Sequence, residues 1–507
     1  MKKYLKLYLA KVRKWHIVVF LFLTAFLLAA HPYQKSRIFS NNVENRKPNI
    51  LFIFTDDQRY NTIRALGGNE VLTPHLDSLV ASGTTFTHAY NMGAWHGAVC
   101  VASRTMLLTG LSVWKAQQME KKLSEMVAMN GLWSQQLRAA GYETYMSGKW
   151  HVRTDVNSVF DHVIHERPGM PNQTPQGYNR PLSPQDTVWK AWDKKFDGFW
   201  KDGKHWSEVL ADDAVNYLHQ AAKKDSPFFM YLAFNAPHDP RQSPKEFIDK
   251  YPLDNITVPD SYLDEYPYKE EMGAGVDLRD EQLAPFPRTK YAIKKHIQEY
   301  YASISHLDEQ VGKILNALAE SGKLDNTYIF FTSDHGLSVG HHGLMGKQNM
   351  FDHSVRVPLV VAGPGMPKGE KRDQQVYLQD IMATTYQLAG IQKPAHVYFN
   401  SMLPMIKDRK TPTVYREIYG GYMNLQRMVR TDRYKLIVYP AAQKMLLFDL
   451  EKDPKEIHDV SDRAKYQKAL IDMKARLVRQ QKELGDTLDL TRILEQDKKI
   501  RNPTRKR

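Results

Sequence analysis

The sequence predicts a doubly wound α/β fold. A large, mainly parallel sheet flanked by helices is followed by a smaller C-terminal α+β subdomain containing an antiparallel sheet. Two observations predict the large sheet: four short apolar runs each end in a cluster of polar residues, and segments with helical spacing lie between them. A third observation predicts the subdomain, because past about residue 400 the pattern changes to paired apolar strands followed by one long helix.

The four apolar runs have the length and composition of buried parallel strands, and turn-forming residues bound them. They span residues 50–54, 142–146, 228–234 and 328–331. The polar clusters that follow them are Thr55-Asp56-Asp57, Ser147-Gly148-Lys149-Trp150-His151, Asn235-Ala236-Pro237-His238 and Thr332-Ser333-Asp334-His335-Gly336. Because ligands of a doubly wound sheet bind beyond the carboxyl ends of its strands, these clusters predict one shared site.

Helices are predicted over residues 132–140, 206–222 and 300–320, where apolar residues recur every three or four positions. Gly141 and Gly322 follow the first and third of these segments, as glycine often follows a helix. A chain of 507 residues can bury a large core, and we place the catalytic domain at residues 48–400.

The C-terminal subdomain is predicted over residues 401–486. Within it, residues 434–439 and 446–450 have the pattern of antiparallel strands separated by a turn near Pro440. A helix follows from about residue 462 to residue 484, and the charged segment 487–507 predicts a basic, disordered tail.

The basic excess of the chain is concentrated at its two ends. The net charge is +14, and residues 1–14 and 498–507 each carry six basic residues and no acidic ones. The remainder is nearly neutral, which argues against a nucleic-acid partner. The basic N-terminus and the apolar run at 17–30 predict a signal peptide or signal anchor over residues 1–30, with a polar tether at 31–47. We therefore expect an exported protein, periplasmic or secreted, that contacts the membrane only through an uncleaved N-terminal segment.

Three carboxylates are predicted to share a cation. Asp56 and Asp57 come directly after one strand, and Asp334 ends another in the same way. At a strand end the chain leaves the pleat, so neighbouring side chains need not point to opposite faces. Three carboxylates at adjoining strand ends would repel one another, and a hard divalent ion relieves that repulsion.

Cys100 is the single cysteine of the chain, so no intramolecular disulfide can form. Glycines precede it and an apolar helical pattern follows, which places Cys100 at a helix N-terminus. Backbone N–H groups and the helix dipole favour an anion at such a position and activate a thiol. Arg104 lies one turn further on and can reach the same anion.

The segment from Cys100 to Gly110 resembles the type I sulfatase signature, Cys-x-(Pro/Ala)-x-Arg followed by Leu-Thr-Gly, of the alkaline phosphatase superfamily. Cys100, Ala102, Arg104, Leu108, Thr109 and Gly110 match it. The resemblance extends through the four strand-end clusters and Gly346-Lys347 and covers roughly residues 48 to 450. A single motif of this kind is weak evidence, but six in the family's order are highly specific.

The resemblance implies a role for each matched residue. A formylglycine-generating (sulfatase-maturating) enzyme would convert Cys100 to Cα-formylglycine, or 3-oxoalanine. One Ca²⁺ ion would be held by that residue together with Asp56, Asp57, Asp334 and His335. The sulfate would be surrounded by Lys149, His238 and Lys347. His151 would hold the aldehyde hydrate, and Arg104 would help to orient it.

The implied reaction is hydrolysis of a sulfate ester. One hydroxyl of the hydrated aldehyde attacks sulfur, while the cations and the metal stabilise the charged oxygens. His238 or Lys347 protonates the departing alcohol. The second hydroxyl then loses a proton and expels sulfate. We expect a sulfated carbohydrate as substrate, with specificity set by the segments 155–205 and 255–290.

Three other functions remain open at this point. The first is an aryl or small alkyl sulfatase, and the second is a phosphonate or phosphodiester hydrolase of the same superfamily. The third is a glycan-binding protein with a degenerate site. A cysteine phosphatase is excluded, because its Cys and Arg flank five residues whereas only three separate Cys100 from Arg104.

Overall fold

The computed structural model describes residues 46–172 and 174–495. The predicted signal segment at 1–30, the tether up to residue 45 and the tail from residue 496 lie outside the described residues. The described residues from 47 to 495 belong to one compact unit. Within the described ranges, no helix combines the length and the apolar character needed to cross a bilayer.

Two sheets form the framework. The larger contains β1 (Asn49–Thr55), β2 (Thr84–Tyr90), β4 (Glu143–Lys149), β5 (His162–Arg167), β6 (Phe228–Ala233), β7 (Thr327–Ser333), β8 (Arg356–Val357), β9 (Leu359–Ala362) and β10 (Glu370–Tyr377). Its order is β10-β2-β9-β7-β1-β6-β4-β5, and β8 pairs with β2. Only the pairings made by β8 and β9 are antiparallel among these described strands, which confirms the predicted mainly parallel sheet.

Helices pack on the two sheets of the structure and connect their strands. They are α1 (Pro74–Ser82), α2 (Val99–Thr109), α3 (Val113–Met119), α4 (Leu123–Ala128), α5 (Trp133–Ala139), α6 (Trp206–Ala222), α7 (Lys245–Ile248), α8 (Lys290–Glu320), α9 (Asp352–Val355), α10 (Asp380–Leu388), α11 (Leu403–Lys407), α12 (Gln467–Leu484) and α13 (Thr491–Leu494). The predicted helix over 206–222 has the observed bounds. The helix predicted over 300–320 begins earlier, at Lys290, because the Thr289 side chain accepts a hydrogen bond from the N–H of Ala292 and caps it.

The central strands explain why the polar clusters meet. Every residue of β1 is buried, and β1 lies between β6 and β7, parallel to both. Phe54 pairs with Ala233 and Thr55 with Ser333, so the three strands end at the same level. Continuous apolar runs are stable here because both faces of the sheet are covered. The residues after each strand therefore emerge at one edge.

The second sheet joins the C-terminal subdomain to the loop before Cys100. Its order is β14-β13-β12-β11-β3, with β11 (Ile418–Tyr422), β12 (Gln426–Arg430), β13 (Tyr434–Tyr439), β14 (Lys444–Asp449) and β3 (Gly93–Ala94). The antiparallel strands confirm the predicted subdomain sheet. The short β3 pairs parallel to β11. A Cβ on Gly93 would lie 2.0 Å from the Gly421 carbonyl oxygen, so this pairing requires glycine.

The tail differs from its prediction over its first residues. Residues 491–494 form α13, and Leu490 and Ile493 are buried in the main core. The charge of the segment suggested disorder, but its leucines and isoleucine have enough apolar surface to dock it.

Candidate active site

Cys100 is the second residue of α2, and its side chain is buried. The structure therefore places it at the helix N-terminus that the sequence predicted. No side chain caps this end of the helix, and the helix dipole favours an anion at residue 100. This arrangement suits a negatively charged nucleophile or a bound oxyanion.

The predicted carboxylates lie beside Cys100. Asp56 and Asp57 follow β1, Asp334 follows β7, and all three are buried. Asp57 has a φ of 68°, so the chain turns out of the strand at this point. Cys100 Sγ lies 3.6 Å from Asp56 Oδ1, and the Asp57 N–H donates to Asp334 Oδ1 over 3.2 Å. The strand ends thus bring together acidic side chains that water cannot solvate.

Four residues present donor atoms to a common point. The donor atoms of Asp56, Asp57, Cys100 and His335 lie within 4.8 Å of one another. His335 Nδ1 lies 2.8 Å from the carbonyl oxygen of Gly336, whereas its Nε2 is buried, makes no hydrogen bond and lies 3.3 Å from Asp57 Oδ1. An imidazole fixed through one nitrogen, with the other facing carboxylates, is typical of a metal ligand.

The protonation of His335 leads to the same conclusion. Burial opposes a charge on the imidazole, but the carboxylates of Asp334 and Asp57 raise its pKa to about 9. The surrounding carboxylates therefore favour a positive charge at His335 Nε2. A divalent cation in contact with that nitrogen would take the place of the proton.

Asp334 lies at the edge of this donor group. Its Oδ1 accepts from the N–H groups of Asp57 and His335, and its Oδ2 accepts from Arg104 at 3.2 and 3.3 Å. Arg104 also donates to the Lys149 carbonyl oxygen at 2.9 Å. The resemblance implied that Arg104 helps to orient the aldehyde hydrate, and that role stays a prediction. In the structure its guanidinium contacts Asp334 and the Lys149 carbonyl oxygen, so it also joins the ends of β7 and β4.

Two lysines partner the first pair of carboxylates. Lys149 contacts Asp56 and is fully buried. Lys347 Nζ lies 2.8 and 3.1 Å from the two oxygens of Asp57 and donates to Cys100 Sγ over 3.1 Å. Although burial opposes ionisation, these two lysines hold the pKa of the Cys100 thiol well below its usual value. The site is thus arranged to stabilise negative charge at residue 100.

His238 is held between two carboxylates. Its Nδ1 lies 2.8 Å from the Asp239 carbonyl oxygen and 3.1 Å from Asp239 Oδ1, and its Nε2 lies 3.8 Å from Asp57 Oδ2. Burial opposes a charge on the ring, but Asp239 and Asp57 raise the pKa of His238 to about 10. The His238 imidazole is therefore protonated on both nitrogens and positively charged.

A cavity of about 400 Å³ opens onto these groups. It is lined by Gly97, Ala98, Cys100, His151, Gly169, Met170, His238, Leu278, Arg279, Asp280, Lys347 and Gln348. Four of the predicted site residues reach it: Cys100, His151, His238 and Lys347. Lys149 and Arg104 do not line the cavity; they contact the buried carboxylates of Asp56 and Asp334 on the side away from it. A Cβ on Gly169 would lie 2.2 Å from the His151 ring, so this glycine makes room for it.

Sequence reasoning missed four polar residues of the site. Asp239 follows His238 directly, and that adjacency was the only available signal. Arg279, Asp280 and Gln348 lie in loops without a recognisable motif. Arg279 pairs with Asp239 and with Asp280, and Gln348 donates to Asp280 Oδ2 over 2.9 Å. Only the fold brings these loops to the cavity.

Two family models match the chain. A sulfatase model matches residues 48–391, and a model described as N-sulphoglucosamine sulphohydrolase, C-terminal, matches residues 340–483. The chain is 27% identical to an arylsulfatase of Clostridium perfringens, covering 84% of this chain and 92% of the relative. It is 25% identical to an N-acetylglucosamine-6-O-sulfatase of Bacteroides thetaiotaomicron, covering 87% and 88%.

Solved structures share the fold. One, described as a complex with its substrate D-glucosamine-2-N,6-O-disulfate, has a TM-score of 0.68 at 23% identity and covers 87% of this chain and 99% of its own. A phosphonate monoester hydrolase of Agrobacterium radiobacter has a TM-score of 0.66 at 21% identity, covering 86% and 96%. The architecture is thus common to enzymes with different substrates.

Proposed function

The chain belongs to the sulfatase family and hydrolyses sulfate esters, and from this premise we propose that it removes sulfate from a sulfated carbohydrate. Residue 100, converted to formylglycine, would serve as the nucleophile with the help of one Ca²⁺ ion. The observation that carries the mechanism is the position of Cys100. It lies at a helix N-terminus in contact with both a carboxylate of the donor group and Lys347.

The residues fit a divalent cation. Buried carboxylates of Asp56 and Asp57 and the unpartnered Nε2 of His335 surround one point next to residue 100. Carboxylate oxygens are the ligands that calcium prefers, and Asp334 adds a further oxygen at the edge of the group. The ion would polarise a sulfate oxygen and lower the charge repulsion of the site when bound.

The side chains that face the cavity would bind and protonate the substrate. Lys347 and His238 would hold the sulfate oxygens, and His151 would hold the hydrated aldehyde. The hydrate would supply two hydroxyls on one carbon, one to attack sulfur and one to release sulfate later. His238, fixed through Nδ1 by Asp239, would donate a proton to the departing alcohol oxygen. Lys149 and Arg104 would keep the carboxylates in place from behind.

Two observations support a carbohydrate substrate. One relative, from Bacteroides thetaiotaomicron, is named an N-acetylglucosamine-6-O-sulfatase, and another, from Formosa agariphila, is named an ulvan-active sulfatase. A cavity of about 400 Å³ lies in the range of small-ligand sites and can admit one sugar unit. Its polar rim provides hydrogen-bonding groups that an aryl sulfate would not use.

Two further proposals concern the life of the protein in the cell. We infer that a formylglycine-generating enzyme converts Cys100, because only the aldehyde provides the second hydroxyl. We also propose export to the periplasm or beyond, because the N-terminal 30 residues have the basic and apolar segments of a signal.

Two experiments test this function. Mass spectrometry of the tryptic peptide from Ala65 to Arg104 should show formylglycine at residue 100 in protein made with the activating enzyme. If only cysteine is found, the mechanism is wrong. Rates should then be compared on a panel of sulfated mono- and oligosaccharides, an aryl sulfate and the matching phosphate and phosphonate esters. Faster hydrolysis of a phosphodiester or phosphonate than of any sulfate would overturn the assignment.

A further inference from the structure

The cavity extends beyond the groups that handle sulfate. Its outer wall consists of small or apolar residues together with three polar ones, Arg279, Asp280 and Gln348. Asp280 and Gln348 are buried, and each is engaged within the protein. The Arg279 side chain, in contrast, is 31% exposed. Of these three polar residues, Arg279 is therefore the one that can reach the part of a substrate beyond the sulfate.

The guanidinium of Arg279 is held in one orientation. Its Nη1 lies 2.5 Å from Asp239 Oδ2 and 3.1 Å from the Tyr178 hydroxyl, and its Nη2 contacts Asp280 and lies 3.3 Å from Asp239 Oδ1. Both carboxylates are buried. A planar guanidinium fixed by two carboxylates has little freedom left to lose when it binds a ligand.

The charges around Arg279 indicate what it binds. Asp239 forms ion pairs with both His238 and Arg279, and Asp280 forms an ion pair with Arg279. Two carboxylates thus offset two cationic side chains. The outer wall is therefore close to neutral, and a second anionic group would gain little there. A neutral hydroxyl suits it better, since the hydroxyl oxygen accepts from the guanidinium.

We propose that Arg279 is a specificity-determining residue, which donates a hydrogen bond to a ring hydroxyl of the sulfated sugar through its Nε–H, since Nη1 and Nη2 already donate to Asp239, Asp280 and Tyr178. The inference rests on the proposed carbohydrate sulfatase function, and it identifies the side chain that would recognise the sugar to which the sulfate is attached. Arg279 also supports Asp239 and, through it, His238. A variant therefore affects two processes, and the experiment must separate them.

The test compares two substrates in each variant. The sugar substrate is the fastest of glucose 6-sulfate, galactose 6-sulfate and N-acetylglucosamine 6-sulfate, and the reference is 4-nitrophenyl sulfate, which lacks hydroxyls. The Arg279→Lys variant keeps the positive charge but loses the planar guanidinium and its fixed N–H donors. It should lower kcat/KM for the sugar at least about 10-fold more than for the aryl sulfate, as expected for one lost hydrogen bond to a charged group.

Two further variants act as controls. Asp239→Asn disturbs His238, so it should lower kcat/KM for both substrates by similar factors. Tyr178→Phe removes one partner of Arg279 without touching Asp239 and should give a smaller loss selective for the sugar. It also provides the test if Arg279→Lys does not fold.

The outcomes are distinct. Parallel losses on both substrates in Arg279→Lys and Tyr178→Phe would overturn the inference and leave the proposed function standing. A wild-type enzyme that cleaves the aryl sulfate but none of the sugars would overturn the proposed function and this inference together.

Discussion

Buried histidines in two regions of this molecule differ in charge, since those of one region are protonated and those of the other are neutral. At the active site, carboxylates raise the pKa of His238 to about 10 and that of His335 to about 9. At the subdomain junction, which we define as His341, His342, Asp352, His353, Lys435 and Glu456, burial lowers the pKa of His342 to about 4. Burial alone therefore does not set the charge of a histidine, and the neighbouring groups decide it.

The acidic groups of the two regions differ in the same way. At the junction, Lys435 lies 2.7 Å from Asp352 and 2.6 Å from Glu456, so the carboxylates share a cation of the protein. At the active site the carboxylates of Asp56, Asp57 and Asp334 also contact cations of the protein, namely Lys149, Lys347 and Arg104. The difference is that donor atoms of Asp56, Asp57, Cys100 and His335 converge on one point there, and His335 Nε2 has no hydrogen bond, so the active site is arranged to receive a ligand.

The largest expected effect is loss of the nucleophile. Cys100→Ala should lower the rate of sulfate ester hydrolysis by roughly four orders of magnitude or more, because no other side chain of the cavity can take its place. The thermal midpoint Tm should change little, since one small atom is removed from a site with unbalanced charge. Initial rates and thermal melts measure the two quantities. Residual hydrolysis near the wild-type rate would contradict the role of residue 100.

A substitution at the subdomain junction should lower stability and leave activity almost unchanged, the reverse of Cys100→Ala. Lys435→Met leaves Asp352 and Glu456 buried without their shared cation, so the free energy of unfolding should fall by about 3–5 kcal/mol. The kcat of the folded protein should change little. Denaturant unfolding followed by rate measurements tests both. The matched control is Lys452→Met on the exposed surface of the same subdomain, which should change stability by no more than about 0.5 kcal/mol.

Sequence reasoning could find this contrast only in part. The active-site carboxylates were predictable, because parallel strands end at one edge and Asp56, Asp57 and Asp334 directly follow such strands. The helix N-terminus at Cys100 was predictable from the glycines before it and the apolar spacing after it. These features depend on local pattern and on one general rule of sheet geometry.

The remaining features depend on contacts between distant parts of the chain. Arg279 meets Asp239 across a loop without a motif, and Lys435 meets Asp352 only because the subdomain docks on the rest of the chain. Lys149 was expected beside the sulfate, but its burial against Asp56 depends on how strand β4 ends. Side-chain direction at a strand end cannot be derived from spacing.

Removal of the metal ion from the active site should lower the stability of the folded protein. If Ca²⁺ is present at 100 times its Kd, chelation by EDTA should lower the free energy of unfolding by about 2.7 kcal/mol. Unfolding measured with EDTA and with excess Ca²⁺ gives this difference. The Asp57→Asn variant, which loses one charge of the donor group, should show a much smaller response. An equal response in that variant, or stabilisation by Mn²⁺ and not by Ca²⁺, would contradict a calcium ion at this position.

The smallest expected effect concerns the neutral histidines of the junction. His342 stacks on Phe351 with ring centres 4.0 Å apart and contacts the Glu456 carbonyl oxygen and His353. Burial, opposed by that carbonyl and reinforced by Lys435, lowers its pKa to about 4. In the unfolded chain the same ring takes up a proton near pH 6.5. The unfolded state therefore binds more protons between these pH values, and stability is lost as the pH falls from about 6.5 to about 4.

His342→Gln removes this proton uptake. Between pH 7 and pH 5, the wild-type free energy of unfolding should fall by up to about 2 kcal/mol more than that of the variant. Denaturant unfolding at the two pH values measures the difference. Identical slopes in the two proteins would show that the pKa of His342 is the same in the folded and unfolded states, and would contradict a ring that burial keeps neutral. A slope that persists in the variant reflects the other buried histidines whose pKa burial lowers, among them His341 and His353.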